Sequence, residues 1–501
     1  MPTEEKTVRK LITGRTGSVL GAPGRPDLTY DELGQLVGAT GRALAARGVG
    51  PGVPVAIVLP NGPEMAAVFL AVSSHATAAP LNPAYREDEF AFYLDDLKVK
   101  LLIALEGTAT PARAAARRLG IPTANIVPGD AAGSFRFAED AGEGEARLNG
   151  EDDVALVLHT SGTTSRPKIV PLTSKNIVTS ARNTAATLHL ASGDRCLNIM
   201  PLFHIHGLIA AVLSSVSAGA SISCSPGFDA LKFFGWLKEV DPTWYTAVPT
   251  MHQAILTRAK RNAAVIAESR LRLVRSSSAS LPAPVFHALE GTFGCPVIEA
   301  YGMTEASHQM ASNQLPPGTR KPGTVGAAAG PEVAIMGEDG VLLPHGQIGE
   351  IVIRGENVTH GYQNNPKANA ESWTNGWFRT GDQGELDGDG FLSIKGRLKE
   401  IINRGGEKIS PREVDDVLME HPAVAQVVTF AMPHKMLGED VAAAVVLADG
   451  AEATEREIRD FAAKSLAAFK VPGKVLIVSE IPKGATGKLQ RIGLSEKLGL
   501  S

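Results

Sequence analysis

Cysteine is scarce: Cys196, Cys224 and Cys295 are the only three in 501 residues, with no paired spacing and no histidine cluster nearby. A disulfide framework and a thiolate zinc site are therefore not expected, and a reducing compartment fits best. Long apolar runs are missing too. "VAAAVVLA" at 441–448 is among the longest, far short of the roughly 20 residues a membrane span needs. The opening "MPTEEKTVRK" has no signal-peptide core, and the closing "KLGLS" is not the peroxisomal tripeptide. These features make a cytoplasmic protein with no membrane span the expectation. Neither sign of charge dominates. A net charge of −4 leaves no basic footprint for nucleic acid and no acidic tail, so the expected partners are small molecules.

What is present suits a large soluble enzyme. Hydrophobic residues at 44% and charged residues at 20% are a globular balance, and the length calls for at least two domains. "YDELGQLVGATGRALAARG" (30–48) places Leu33, Leu36, Val37 and Leu44 on one helical stripe ending at Gly48. "VPVAIVLPN" reads as a buried strand, and "PEMAAVFLAVSSHA" as a helix with proline at its start. Strand, turn and helix alternate in this way to about residue 300, predicting a doubly wound α/β fold with a mostly parallel sheet. From about 323, short strands between glycine turns ("EVAIMGEDG", "GEIVIRG", "GFLSIKG") predict a β-rich subdomain. Ser410-Pro411-Arg412-Glu413 reads as a capping box opening a further helix. The strands "AQVVTFAM", "VAAAVVLA" and "KVLIV", with the helix "EREIRDFAAKSLAAF", then predict a small α+β unit. The domains expected are 1–398 and 399–501, with the boundary at Lys399.

Four segments carry chemistry. "LHTSGTTSRPK" (158–168) follows the strand "VALVLH" with Thr160, Ser161, Gly162, Thr163 and Thr164 ahead of Lys168. Backbone N–H groups and hydroxyls in such a loop can surround phosphate oxygens, with the lysine as counter-charge. A Walker A loop needs glycine before that lysine and Ser/Thr after it, but Pro167 and Ile169 occupy those places. In "EAYGMTEASH" (299–308), Tyr301 offers a ring to a base, Thr304 a hydroxyl to a phosphate, and Glu305 a carboxylate to Mg²⁺. In "GWFRTGDQGELDGDGFLSIKGRLKEII" (376–402), Asp382 suits ribose hydroxyls with Arg397 in reach, while "ELDGDGF" is a plain hairpin turn. "IPKGATGKLQR" (481–491) places Lys488 in a glycine loop. Taken singly, each has an ordinary reading: a polar loop, a helix start, a hairpin, a solvated lysine.

In order and spacing the four together resemble the core motifs of the acyl-adenylate-forming superfamily, which comprises acyl-CoA synthetases, peptide-synthetase adenylation domains and firefly luciferase. The resemblance runs from "LTYDELGQL" to Lys488. It is strongest to plant and fungal oxalate–CoA ligases, through "LHTSGTTSRPK", "PLFHIHGL", "TWYTAVPT", "SASL", "NRGGEKISP" and "LAAFKVP". It implies ATP, Mg²⁺ and coenzyme A, and a carboxylic acid activated as its adenylate and passed to a thiol. By resemblance, residues 160–168 grip the β- and γ-phosphates, Thr304 the α-phosphate, Glu305 and Thr160 the metal, and Asp382 and Arg397 the ribose. Lys488 bridges acid and α-phosphate, Lys399 is the hinge of a rotating C-terminal domain, and Gly405 and Gly406 wall the thiol path. His204 matches the gate between acid and thiol.

The acid pocket reads as polar. His206, the serines Ser276, Ser277 and Ser278 of "RSSSASL", and His308 stand where relatives often carry small or apolar groups. An alkyl tail would leave such groups unpaired, at about 1–3 kcal/mol for each one buried. A second carboxylate would satisfy them, with His206 or His308 protonated to meet it. Oxalate is therefore the first acid expected. A medium-chain fatty or aryl acid is the alternative if the serines bond to backbone instead, and a carrier-loading adenylation enzyme or a silent nucleotide sensor ranks below it. Ile169 departs from the pattern, which expects glycine there.

Overall fold

The strand–turn–helix recurrence builds two large sheets in the computed structural model, which describes residues 5–160, 167–483 and 489–500. In the seven-stranded sheet, Pro54–Val58 lies between Thr77–Pro80 and Leu101–Leu105, all parallel, and one edge closes with the antiparallel hairpin Val154–His159/Ile169–Thr173. In the nine-stranded sheet, Arg195–Asn198, Trp244–Ala247, Leu273–Ser276 and Val297–Met303 run parallel, and His308–Ser312 returns antiparallel beside the last.

The helix Pro63–His75 explains how the two sheets share one core. Every residue in it except Glu64 is buried, the pattern of a helix enclosed on all sides rather than one resting on a surface. The hydrophobic cluster around it draws Val55, Ile57 and Leu156 from one sheet and Leu20, Ile222 and Trp244 from the other. The helix Tyr30–Ala46 begins with a reciprocal cap between Thr29 and Glu32, and the chain turns away at Gly48, whose φ of +71° favours glycine.

A six-stranded antiparallel sheet follows, containing Glu332–Met336, Ile348–Arg354, Trp377–Leu386 and Leu392–Arg397. The "ELDGDGF" segment is a hairpin turn in which Asp387 accepts the N–H groups of Asp389 and Phe391, both at 2.9 Å. Beyond the turn Leu398–Glu400, the small C-terminal domain packs the helices Pro411–Met419 and Glu455–Ala462 on its own five-stranded sheet. The architecture is α/β, a large N-terminal domain of parallel sheets with a small C-terminal one. Two local expectations are corrected. Ser410 caps the Glu413 N–H at 3.4 Å, but the Glu413 carboxylate binds Lys470 at 2.6 Å instead of closing the box. The second helix stops at Ala462, and the following turns carry Leu466 into the core. Among the described residues, no helix is long and apolar enough to cross a membrane.

Ile169, the residue that departs from the family pattern, opens the strand after the loop lysine. It is 4% exposed, packs in the cluster with Val58, Phe90 and Val157, and its carbonyl accepts the Gln363 N–H at 3.0 Å. Bulk at this position is core. Ile169→Ala is expected to lower the free energy of unfolding by about 2–4 kcal/mol in urea titration.

Candidate active site

Three of the four segments converge at the ends of different sheets. Asp382 and Arg397 are cross-strand partners, and Arg397 Nε donates to Asp382 Oδ1 at 3.1 Å. The Tyr301 hydroxyl donates to the other oxygen of Asp382. Tyr301 therefore holds the carboxylate through its hydroxyl, a role the sequence did not suggest alongside the ring-to-base contact. Burial and the Asp382 charge both push its own pKa well up.

Glu305 follows on the short turn Thr304–Ala306, 7% exposed, with half-buried Thr304 opening the turn. Its Oε1 accepts the Tyr362 hydroxyl at 2.8 Å. Burial raises its pKa, and the Tyr362 bond and the charges of Lys168 and Arg397 oppose that rise. Lys168 Nζ lies 4.3 Å from the centroid of the Tyr362 ring. Across the hairpin, the Thr160 N–H donates to the Lys168 carbonyl at 2.9 Å, and the Lys168 N–H to Thr160 Oγ1 at 3.1 Å. Ser161, Gly162, Thr163, Thr164 and Lys488 lie outside the described residues. Among the described residues, no group of three or more His, Cys, Asp or Glu side chains converges as a metal cage. A lone buried carboxylate among oxygen donors instead suits Mg²⁺, which takes one or two carboxylates and fills its shell with phosphate and water.

The acid end differs from expectation in its source of charge. The fully buried Arg275 donates from Nη2 to His308 Nε2 at 3.0 Å and lies 3.5 Å from His206 Nε2 through Nη1. His206 and His308 stack with centroids 5.0 Å apart. His206 also contacts Thr246 Oγ1 at 2.7 Å and Ser278 Oγ at 3.0 Å. Arginine has only donors, so the His308 nitrogen facing it is an acceptor and carries no proton. The guanidinium is a buried cation that the sequence reading did not include. Burial presses its pKa down to about 9, still cationic at neutral pH.

Strand geometry explains the correction. Arg275 pairs with Thr246 across parallel strands, so both face the histidines, and the period of two turns Ser276 to the opposite face. Its hydroxyl has no partner among the described residues. Ser277 donates to the Ala300 carbonyl at 2.8 Å and so serves the backbone. Only Ser278 of the three joins the imidazoles. Its φ is +75°, and Ser307 and His308 have φ of +49° and +101°, so backbone strain is concentrated around the pocket. Gly302 pairs with Gln309 across the hairpin, and an added Cβ there would fall 1.8 Å from the His308 carbonyl oxygen.

The remaining predicted residues stand apart. His204 is half-buried and accepts the His206 N–H at 3.4 Å, just ahead of the π-helical segment His206–Leu213. Lys399 is exposed in the turn Leu398–Glu400 between the β-rich sheet and the C-terminal sheet. Gly405 and Gly406 turn a hairpin whose Lys408 reaches Glu338 of the β-rich sheet at 3.3 Å, away from the histidines. Leu489 and Arg491, beyond Lys488, instead line an interdomain cavity of about 130 Å³ with Thr250 and Ser280. In this orientation Leu489 and Arg491, not the glycine hairpin, border the serine loop.

Sequence reasoning missed Arg275, Thr246, Tyr362 and Asn357. Asn357 Nδ2 donates to the carbonyls of Ala306 and Gln309, both at 2.9 Å, and so clamps the Glu305 turn. For Arg275 a signal existed. Strands inside a parallel sheet are buried on both faces, so a charge within "LVRS" must be buried as well.

The chain matches the AMP-binding enzyme family over residues 18–363 and the AMP-binding enzyme C-terminal domain over 413–488. It is 46% identical to an oxalate–CoA ligase of Arabidopsis thaliana over 97% of this chain and 96% of that one. An oxalate–CoA ligase of Saccharomyces cerevisiae is 43% identical over 89% and 87%. The ATP-bound crystal structure of MatB from Rhodopseudomonas palustris superposes with a TM-score of 0.89 at 28% identity, covering 98% of this chain and 99% of that one.

Glu299, two residues before Tyr301, is fully buried. Its Oε1 accepts the Leu281 N–H at 3.1 Å, and Arg412 of the C-terminal domain supplies the opposing charge. Burial still lifts its pKa from 4.5 to about 7. The unfolded carboxyl therefore ionises first, so its contribution to stability is full below pH 4.5 and is lost as pH rises through about 7. Replacing it with a neutral isostere, Glu299→Gln, is expected to flatten that fall, on the order of 3 kcal/mol, in unfolding titrations between pH 4.5 and 8.

Proposed function

We propose that this chain, which belongs to the AMP-binding enzyme family and is an AMP-forming acid–CoA ligase, takes oxalate as its acid. The observation that carries the reading is the buried Arg275 held between His206 and His308. A guanidinium with no carboxylate beside it among the described residues is a costly group to bury. A dicarboxylate short enough to present one end to the α-phosphate and the other to Arg275 provides that carboxylate. Two relatives similar over most of their length carry the name oxalate–CoA ligase, which agrees.

Both the acid and ATP are anionic, so the protein's task in the first step is to supply positive charge and alignment. One carboxylate oxygen bonds to the α-phosphorus, and the bond from that phosphorus to pyrophosphate breaks. Lys168 and the loop before it hold the departing phosphates, Thr304 the α-phosphate, and Asp382 and Arg397 the ribose. Glu305, with Thr160, would hold Mg²⁺, which offsets phosphate charge. Lys488 bridges the two reactants. In the second step the coenzyme A sulfur bonds to the acyl carbon and AMP leaves. For this the C-terminal domain, 399–501, turns about Lys399. Gly405 and Gly406 then come to the tunnel, and His204 clears its mouth. A medium-chain or aryl acid would put carbon against Arg275 and leave that charge unmet.

A pyrophosphate-release screen with coenzyme A over oxalate, malonate, octanoate and coumarate is expected to favour oxalate. Preference for octanoate would overturn the dicarboxylate reading. Arg275→Met should lower kcat/KM for oxalate by about 30-fold or more, and His308→Ala should raise KM steeply, both measured at saturating ATP. Lys488→Ala is expected to slow pyrophosphate exchange by roughly two to three orders of magnitude while sparing thioester formation from supplied acyl-adenylate. Equal loss in both half-reactions would remove Lys488 from that role.

A further inference from the structure

Tyr362 touches both charged groups at the phosphate end. Its hydroxyl donates to Glu305 Oε1 at 2.8 Å while its ring carries Lys168 Nζ at 4.3 Å. The side chain is 6% exposed, and its backbone is pinned on both sides. The Tyr362 N–H donates to Asn369 Oδ1 at 2.7 Å, Asn369 Nδ2 returns a bond to the Tyr362 carbonyl at 2.9 Å, and the next residue, Gln363, bonds to Ile169.

Lys168 and Glu305 are close enough that the lysine charge stabilises the carboxylate, yet among the described residues no ion pair joins them. In a buried site two such charges attract strongly. A direct pair would neutralise both, leaving neither the ammonium for phosphate nor the carboxylate for a cation. The tyrosine separates them by giving each an alternative partner. The ring face attracts the ammonium without discharging it, and the hydroxyl fixes one carboxylate oxygen.

We propose that Tyr362 is a positioning residue that keeps Lys168 and Glu305 apart and aimed, so that the site meets Mg²⁺ and nucleotide with both charges available. The inference rests on the assignment of Glu305 to the metal. Two variants separate its two contacts. Tyr362→Phe keeps the ring and deletes the hydroxyl, and Tyr362→Leu deletes both.

The test measures protein-bound Mn²⁺ by electron paramagnetic resonance with α,β-methylene-ATP, together with the Mg²⁺ dependence of pyrophosphate exchange. The acid used is whichever one the wild-type enzyme turns over fastest. The Phe variant is expected to bind Mn²⁺ about 10-fold more weakly and to recover its exchange rate when Mg²⁺ is raised. Its thermal midpoint and its ATP KM at saturating Mg²⁺ should match the wild type. The Leu variant should lose about 100-fold more in rate, beyond rescue by Mg²⁺. If the Leu variant does not fold, the Phe variant decides alone. Mn²⁺ affinity within twofold of wild type in the Phe variant, or a rate loss indifferent to Mg²⁺, overturns the proposal. Glu305→Gln is the control. If it leaves Mn²⁺ binding intact, the assignment of Glu305 has failed and this proposal with it. If it abolishes binding while the Phe variant shows no change, only the role of Tyr362 has failed.

Discussion

The Asp382 carboxylate joins elements that would otherwise be independent. Tyr301 reaches it from the nine-stranded sheet, Arg397 from the neighbouring strand of the antiparallel sheet, and directly past Arg397 the turn Leu398–Glu400 leads to the small domain. A carboxylate buried this far needs its hydrogen bonds met. Meeting them fixes where the two sheets stand relative to each other and where the chain departs toward the small domain. The residues read as the ribose site are thus also the joint of the molecule.

Electrostatics divides the rest of the site into two ends with different rules. At the phosphate end, charges of opposite sign are held near one another without being allowed to combine. Beside His206 and His308, a single buried guanidinium stands on an inner strand of the nine-stranded sheet, and His308 accepts one of its N–H groups. Under the proposed oxalate reading, the histidines hold the guanidinium and the guanidinium meets the far carboxylate.

Much of this was legible in the amino-acid order. The helix Pro63–His75 and the strands around it follow from apolar runs bounded by proline and glycine, and Asp382 and Arg397 are strand partners as their spacing allowed. Other parts were not legible. Ser276 and Arg275 are adjacent in sequence but face opposite sides of a strand, so polar composition alone picked the wrong neighbour. Tyr362 and Asn357 lie more than fifty residues beyond the Glu305 turn they support, in a loop whose own pattern carries no sign of chemistry. The half-formed cap at Ser410 failed for a similar reason. A lysine distant in sequence, Lys470, took the carboxylate that the local pattern had reserved.

The close approach at Gly302 bears on how the enzyme's selectivity can change over evolutionary time. The His308 carbonyl already occupies the space that a single carbon on Gly302 would need. The back of the pocket therefore cannot drift outward by gradual backbone movement on that side. Under the proposed reading, a longer acid is accommodated by replacing the His308 imidazole, not by moving the backbone behind it. Acid length in such a site changes in discrete steps, one residue identity at a time.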